Sequence, residues 1–153
     1  MIKFFQQQLY KDIPLTRDMS MEIVKYSDNT LTVHAPLANN INDKGSVFGG
    51  SSSALMIISA WSLIKLSCDA HAINADIVIH KNETHWNKAL YQDLIIVASF
   101  VEAYDFTKIK EKVSNGKHQR IECEIKLVNA DNVLFSTMKA KYVIIAQNKK
   151  VQP

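Results

Sequence analysis

Apolar residues recur at helical spacing at the start of this chain and alternate with polar residues soon afterwards. Apolar side chains among residues 4–13 fall on one side of a short helix, which Pro14 would end. Alternation over residues 19–23, and again over residues 31–37, predicts two strands. Pro36 places the second strand near a sheet edge or at its own end, because proline cannot donate to a central ladder.

The middle of the chain is predicted to form one long buried helix. Residues 51–64 carry no charged side chain, and a helix that is apolar on every side must be surrounded by protein or lipid. The apolar run over residues 54–66 includes Lys65 and is shorter than the ~20 residues that span a bilayer. A core helix is therefore the favoured interpretation, and no membrane association is predicted.

Four further strands are predicted after this helix. Alternation over residues 73–79 indicates the first, which could continue to Trp86. Residues 94–101 are almost wholly apolar, which predicts a strand covered on both faces. Residues 121–127 alternate cleanly, and a long final strand runs over residues 133–145.

The predicted order of elements limits how the chain can pack. One helix cannot cover both faces of a six-stranded sheet, so the simplest packing curls the sheet around the helix. This predicts an α+β fold, in which a curved antiparallel β-sheet wraps a long central helix. Such a sheet leaves a free edge or face, and dimerisation commonly covers it. A homodimer or a dimer of dimers is therefore expected.

Composition narrows the possible partners and compartment. The 153 residues predict a single domain over 1–153, with a short helix at its start. The net charge is +3 and the basic residues are scattered, apart from Lys149 and Lys150, which argues against nucleic acid. Cys68 and Cys123 lack metal or redox spacing, and the start lacks the features of a signal peptide. A cytoplasmic protein with reduced thiols, no metal and no cofactor is expected.

A polar loop with three glycines, over residues 41–50, leads directly into the uncharged helix. The first turn of a helix has unpaired backbone N–H groups, and glycine lets a ligand approach them closely. The positive end of the helix dipole also favours an anion or a polarised carbonyl oxygen. The junction of loop and helix is therefore the predicted reaction site.

Two segments of the sequence resemble sequence patterns of proteins with the hot-dog fold. Residues 42–51, Asn-Asp-Lys-Gly-Ser-Val-Phe-Gly-Gly-Ser, look like the N-x-x-G-x-x-H-G-G junction of hot-dog thioesterases. Residues 84–93 resemble the aromatic-x-x-Pro-x-x-Gly-Asp segment of that superfamily, with Ala89 and Gln92 in place of the proline and glycine. A closer resemblance, over most of the chain, is carried by residues 13–15 (Ile-Pro-Leu), residues 35–38 (Ala-Pro-Leu-Ala), residues 44–51 (Lys-Gly-Ser-Val-Phe-Gly-Gly-Ser) and Trp61. In these residues the chain resembles the thioesterase family that includes the C-terminal domain of YiiD-like proteins.

The resemblance implies hydrolysis of a thioester carried by coenzyme A or by an acyl carrier protein. It implies that the amides of Gly50 and Ser51 bind the carbonyl oxygen and that Asn42 positions water. Alternative interpretations are that the glycines only permit tight packing and that Asn42 only forms an Asx-type turn. The remaining substrate-binding candidates lie in the same junction: Lys44, Gly45, Phe48, Gly49 and Ser53.

The general base is not assigned by the resemblance. Phe48 stands where related enzymes often have histidine, and Ile57 lies near the place of their helical carboxylate. Glu83 or His85 could act across a dimer interface, although ordinary charges at an exposed strand end are the favoured interpretation of both. Two rival functions stay open: a non-catalytic binder of acyl thioesters or lipids, and a hydratase or dehydratase on the same scaffold.

Overall fold

The computed structural model describes residues 1–146. The predicted domain extends to residue 153, so its last seven residues, with Lys149 and Lys150, lie outside the described part. The helices are α1 (Ile2–Asp12), α2 (Pro14–Asp18), α3 (Gly49–Ala70) and α4 (Phe106–Ser114). The strands are β1 (Glu22–Tyr26), β2 (Thr30–Ala35), β3 (Asp76–Trp86), β4 (Leu94–Phe100), β5 (Gln119–Val128) and β6 (Leu134–Ile145).

The six strands form one antiparallel sheet in the order β1-β2-β4-β5-β6-β3, so β1 and β3 are its edges. Helix α3 packs against β2, β3, β4, β5 and β6. This confirms the predicted fold, in which a curved sheet wraps one long helix. The wrapping explains the composition of α3, because a helix with strands along most of its length can carry apolar residues nearly all round.

The core lies between α3 and the inner face of the sheet. Leu55, Leu63 and Ile64 of α3 are fully buried, as are Ile121 and Ile125 of β5. Helix α3 is long and apolar enough to cross a membrane by length and composition, but 67% of its apolar window is buried inside the protein. Burial by strands therefore accounts for its hydrophobicity, as expected for a core helix.

The alternation over residues 19–23 does not mark a strand throughout. Strand β1 begins only at Glu22, and Ser20 has a positive φ of 51°, which breaks any extended conformation. Met19 and Met21 are nevertheless buried. Two buried residues on either side of a tight turn reproduce the period of a strand without forming one.

The sequence prediction lacks α2, which begins at Pro14, and the longer helix α4. Asp105 caps α4 by accepting a hydrogen bond from the Lys108 N–H at 3.1 Å, and Phe106, Ile109 and Val113 form its buried stripe. The spacing of i, i+3 and i+7 is a helical signal, but it spans only two turns. Asn115 and Gly116, a pair typical of turns, follow directly after the end of this helix.

Residues 94–101 are predicted to be buried on both faces, but only one face of β4 is fully buried. Leu94, Ile96 and Ala98 are fully buried against α3, whereas the alternate residues on the outer face are half-buried. Val101 lies outside the strand and is 49% exposed. The continuous apolar run therefore overstates the burial of the outer face in a single chain.

Both cysteines are buried free thiols, and this predicts a loss of stability in alkali. Desolvation is the largest cause that raises the pKa of Cys68 and of Cys123 from 9.0 to about 12. Above pH 9 the unfolded chain releases these protons and the folded chain keeps them, so the thiols favour unfolding increasingly up to about pH 12. Urea denaturation from pH 8 to 11 should show a shallower fall for Cys68→Ala than for the unmodified chain. Equal slopes would contradict this account.

Candidate active site

Asn42 organises the loop that precedes α3. Its Oδ1 accepts hydrogen bonds from the backbone N–H groups of Lys44 (2.9 Å) and Ser46 (3.1 Å). Its Nδ2 donates to the Ser46 hydroxyl at 2.9 Å. Gly45 occupies the apex with a φ of +82°, a conformation that glycine adopts without strain. Asn42 thus forms the Asx-type turn that was its alternative interpretation, and its Nδ2 has one further hydrogen to donate.

Asn40, which the sequence analysis did not single out, anchors this loop to the rest of the fold. Its side chain is 2% exposed, and Nδ2 donates to the carbonyl oxygens of Met19 (3.0 Å) and Pro36 (2.8 Å). Its own carbonyl oxygen accepts a 2.7 Å hydrogen bond from the N–H of Phe48. The buried side chain of Asn40 thus anchors the backbone that holds Phe48, the residue immediately before α3.

The segment that resembles the superfamily pattern, residues 84–93, braces the other side of the loop. The Leu90 carbonyl oxygen accepts from the Val47 N–H at 2.9 Å. The Asp93 carboxylate accepts from the Leu37 N–H at 2.9 Å and lies 3.3 Å from Nε2 of His34. These bonds give the segment a structural role beside the predicted reaction site.

The first turn of α3 presents unpaired donors. Phe48 precedes the helix without a side-chain cap, and its carbonyl oxygen accepts the first bond, from the Ser52 N–H at 3.0 Å. Among residues 1–146, no acceptor engages the N–H groups of Gly49, Gly50 or Ser51. Gly50 is exposed and Ser51 is half-buried. These N–H groups add to the positive end of the dipole of a 22-residue helix, which suits a developing oxyanion.

Phe48 lies across Gly50, and this contact explains the second glycine. A Cβ on Gly50 would lie 2.5 Å from Cε1 and 2.8 Å from Cζ of the Phe48 ring, closer than real atoms approach. Phe48 as a whole is 55% exposed. An aromatic surface open to solvent therefore stands beside the unpaired amides.

Trp86 lies on the other side of the first turn, and it was not predicted to belong to the site. Its Nε1 donates to the Ser52 hydroxyl at 3.1 Å, and that hydroxyl donates to the Gly49 carbonyl oxygen at 3.0 Å. The residues are 34 positions apart in the sequence. Their contact follows from the register of β3 against β6, which periodicity within one segment does not reveal.

The other predicted substrate-binding residues lie around this turn. Lys44 is exposed, and its Nζ lies 3.0 Å from Oδ1 of Asp43. Ser51 and Ser53 are half-buried, and neither hydroxyl has a hydrogen-bond partner within the described residues. Among residues 1–146, neither hydroxyl has a histidine beside it to activate it, which agrees with a role for backbone rather than hydroxyl groups in this turn.

Glu83 and His85 are brought to each other but not to the start of α3 in their own chain. Nε2 of His85 lies 3.0 Å from Oε1 of Glu83, and both side chains are exposed. Glu83 pairs with the exposed Lys139, whereas Trp86 pairs with the buried Ser136. Cross-strand partners share a face of the sheet, so Glu83 and His85 lie on the outer face, opposite α3.

A separate apolar cleft of about 290 Å³ lies between α1 and the second half of α3. Phe5, Leu9 and Trp61 line it, and the ion pair of Lys65 and Asp69 lies at its side. Trp61 comes ten residues after Ser51, which corresponds to about 15 Å along the helix. The cleft is therefore distinct from the amides of the first turn. Within residues 1–146, no group of three His, Cys, Asp or Glu side chains is placed to hold a metal ion.

Solved structures of other proteins have the same fold as this chain. A crystal structure described as the putative thioesterase from Shewanella oneidensis has 21% identity and a TM-score of 0.84, over 94% of this chain and 96% of that chain. A protein of unknown function from Chlorobaculum tepidum has 21% identity and a TM-score of 0.85, over 95% and 94%. A thioesterase from Haemophilus influenzae has 12% identity and a TM-score of 0.77, over 98% and 94%. The TM-scores show that these proteins share the fold of this chain.

The family is shown by a different comparison. The family model described as "Putative thioesterase (yiiD_Cterm)" matches residues 2–146. This match includes the loop, all of α3 and the whole sheet. The chain therefore belongs to the YiiD C-terminal family of hot-dog proteins, as its sequence resemblance predicted.

Proposed function

We propose that this chain hydrolyses the thioester of an acyl-CoA or of an acyl carrier protein. The observation that supports the proposal is the group of unpaired amides at Gly49, Gly50 and Ser51, at the start of a buried helix. Family membership gives the substrate class at the level of a thioester. The carbonyl oxygen would accept hydrogen bonds from the N–H groups of Gly50 and Ser51.

Hydrolysis at this site requires the addition of water to the thioester and the cleavage of its C–S bond. A water oxygen adds to the carbonyl carbon, and negative charge develops on the carbonyl oxygen, where the two amides and the helix dipole stabilise it. The C–S bond then breaks, the acid and the thiol leave, and the proton from water goes to the thiolate. Asn42 keeps the loop in place, and its remaining Nδ2 hydrogen can donate to the water or the substrate. Lys44 provides a positive charge beside the loop, and Phe48 an apolar wall.

The active form is proposed to be a cytoplasmic homodimer that pairs through β3. This strand has 11 residues, forms one edge of the sheet and is exposed over most of its length. Its inner face past the bulge near Lys81 carries Asn82 and Thr84, whose side chains are joined by a 2.8 Å hydrogen bond. Polar residues on the inner face, next to an uncovered edge, suit a site completed by a second copy.

The position of β3 in the second copy decides whether Glu83 or His85 serves as the general base. Within one chain, Glu83 and His85 face away from α3. Either can serve as base only if the second copy turns the outer face of its β3 towards the first turn of α3. Edge-to-edge pairing of two β3 strands would instead leave both side chains on the outer face, and Asn82 and Thr84 would then orient the water.

A panel of acyl-CoAs and acyl carrier proteins of increasing chain length tests the function directly. The purified full chain should release free thiol from at least one substrate at a rate proportional to protein concentration. Because each buried CH₂ contributes ~0.8 kcal/mol, the preference for chain length should be steep. An absence of turnover above background with every substrate would contradict hydrolysis.

A second candidate function is binding of an acyl thioester without hydrolysis. The observation that favours it is the lack of any Asp or Glu in α3 before Asp69, together with the outward orientation of Glu83 and His85. The same panel separates the two functions. Saturable binding, measured by calorimetry, without release of thiol would support the binder.

A further inference from the structure

The indole of Trp86 is placed unusually for a structural tryptophan. Its N–H is satisfied by a buried partner, since Ser52 is 1% exposed and accepts at 3.1 Å. The residue is nevertheless 56% exposed in the single chain. Tryptophan is highly buried on average. An indole that is held by a hydrogen bond and is still exposed to solvent therefore suits contact with a ligand.

The ring stands directly against the first turn of α3. Nε1 lies 3.5 Å from the position that a Cβ on Gly49 would take, and Cε2 lies 3.8 Å from it. Phe48 covers the neighbouring Gly50 in the same way and is itself 55% exposed. Two exposed aromatic rings therefore flank the turn that carries the unpaired amides.

The indole is also connected to the first turn of α3 through two hydrogen bonds. It donates to the Ser52 hydroxyl, which in turn donates to the Gly49 carbonyl oxygen at 3.0 Å. Because the hydroxyl is both acceptor and donor, its orientation is fixed by the two bonds together. This chain of two bonds joins the end of β3 to the backbone of the helix start.

We infer that Trp86 is a second aromatic wall of the thioester subsite and a positioning residue for the first turn of α3. The face of the indole contacts the apolar part of the substrate next to the carbonyl group. The N–H, acting through Ser52, holds the amides of Gly50 and Ser51 in register with the carbonyl oxygen. This inference rests on the proposed function for its ligand, an acyl thioester of coenzyme A.

Two variants separate the wall from the positioning role. Trp86→Phe keeps an aromatic face and removes the donor, so kcat should fall roughly 3- to 10-fold, the value of one neutral hydrogen bond, with KM nearly unchanged. Trp86→Ala removes the face as well, so KM should rise in addition. Ser52→Ala should reproduce the Trp86→Phe effect on kcat. Thermal unfolding of each variant shows that it is folded. Unchanged kcat and KM in all three folded variants would overturn the inference.

Fluorescence provides a readout that does not depend on hydrolysis. In a Trp61→Phe background, Trp86 is the remaining tryptophan of the chain. A non-hydrolysable thioether analogue of acyl-CoA should shift its emission to shorter wavelength and protect it from acrylamide quenching, with the saturation measured by calorimetry. Calorimetric binding without any change in Trp86 emission would overturn the inference. A saturable change in emission, with no thiol release from true substrates, would support the wall and contradict only the proposed hydrolysis.

Discussion

Replacing Ser51 with proline should lower kcat by roughly 100- to 1,000-fold, the usual result of removing one oxyanion donor. Proline lacks the backbone N–H that is proposed to bind the carbonyl oxygen, and the first turn of a helix tolerates proline because its N–H groups have no helical partner. Initial rates of thiol release, with substrate at saturation, measure the effect. Circular dichroism and thermal unfolding show whether the variant is folded.

Two matched variants identify the cause of that loss. Ser51→Ala keeps the N–H and removes only the hydroxyl, so its kcat should stay within a few-fold of the unmodified chain. Gly49→Pro removes a neighbouring N–H, and Phe48 already has the extended conformation (φ −66°, ψ 127°) that a following proline requires. Its effect should be much smaller than that of Ser51→Pro. Equal losses in Ser51→Ala and Ser51→Pro would instead assign the activity to the hydroxyl.

Replacing Leu63 with alanine should cost about 3–5 kcal/mol in the free energy of unfolding. Leu63 is fully buried in α3, between the helix and the inner face of the sheet. The truncation removes buried methyl groups and leaves a cavity that a helix packed against several strands cannot easily fill. Since small domains are stable by only about 5–15 kcal/mol, this is a large fraction of the total. Urea denaturation at fixed protein concentration measures it.

Leu15→Ala is the matched control for this prediction. Leu15 is 54% exposed in α2, so the same chemical change should alter the free energy of unfolding by about 0.5 kcal/mol or less. Similar losses at Leu15 and Leu63 would show that α3 is not the centre of the core.

The fold was predictable because its main elements have strong local signals. The clean alternation of β5 requires one buried face, and the uncharged run of α3 requires burial on most sides. Once a single buried helix is combined with many strands, few arrangements can cover it. Helix α4 was missed because its buried stripe has three residues, Phe106, Ile109 and Val113, which is too short to stand out from loop sequence.

The site was predictable only in part. The loop and the first turn of α3 are contiguous in sequence, so their unpaired amides follow from composition and helix geometry. Trp86 and Ser52 meet through the register of strands, and no local pattern encodes that register. The face on which Glu83 and His85 lie depends on the irregular pairing between Ile79 and Lys81. One such bulge changes the face of every later residue in the strand.

The most direct test of the central claim is a crystal structure with a non-hydrolysable acyl-CoA analogue that keeps the carbonyl oxygen. We expect this oxygen to lie about 2.7–3.2 Å from the backbone nitrogens of both Gly50 and Ser51, the range of N–H···O hydrogen bonds. An analogue bound with its carbonyl group elsewhere, for example in the cleft between α1 and α3, with the first turn of α3 unoccupied, would contradict it.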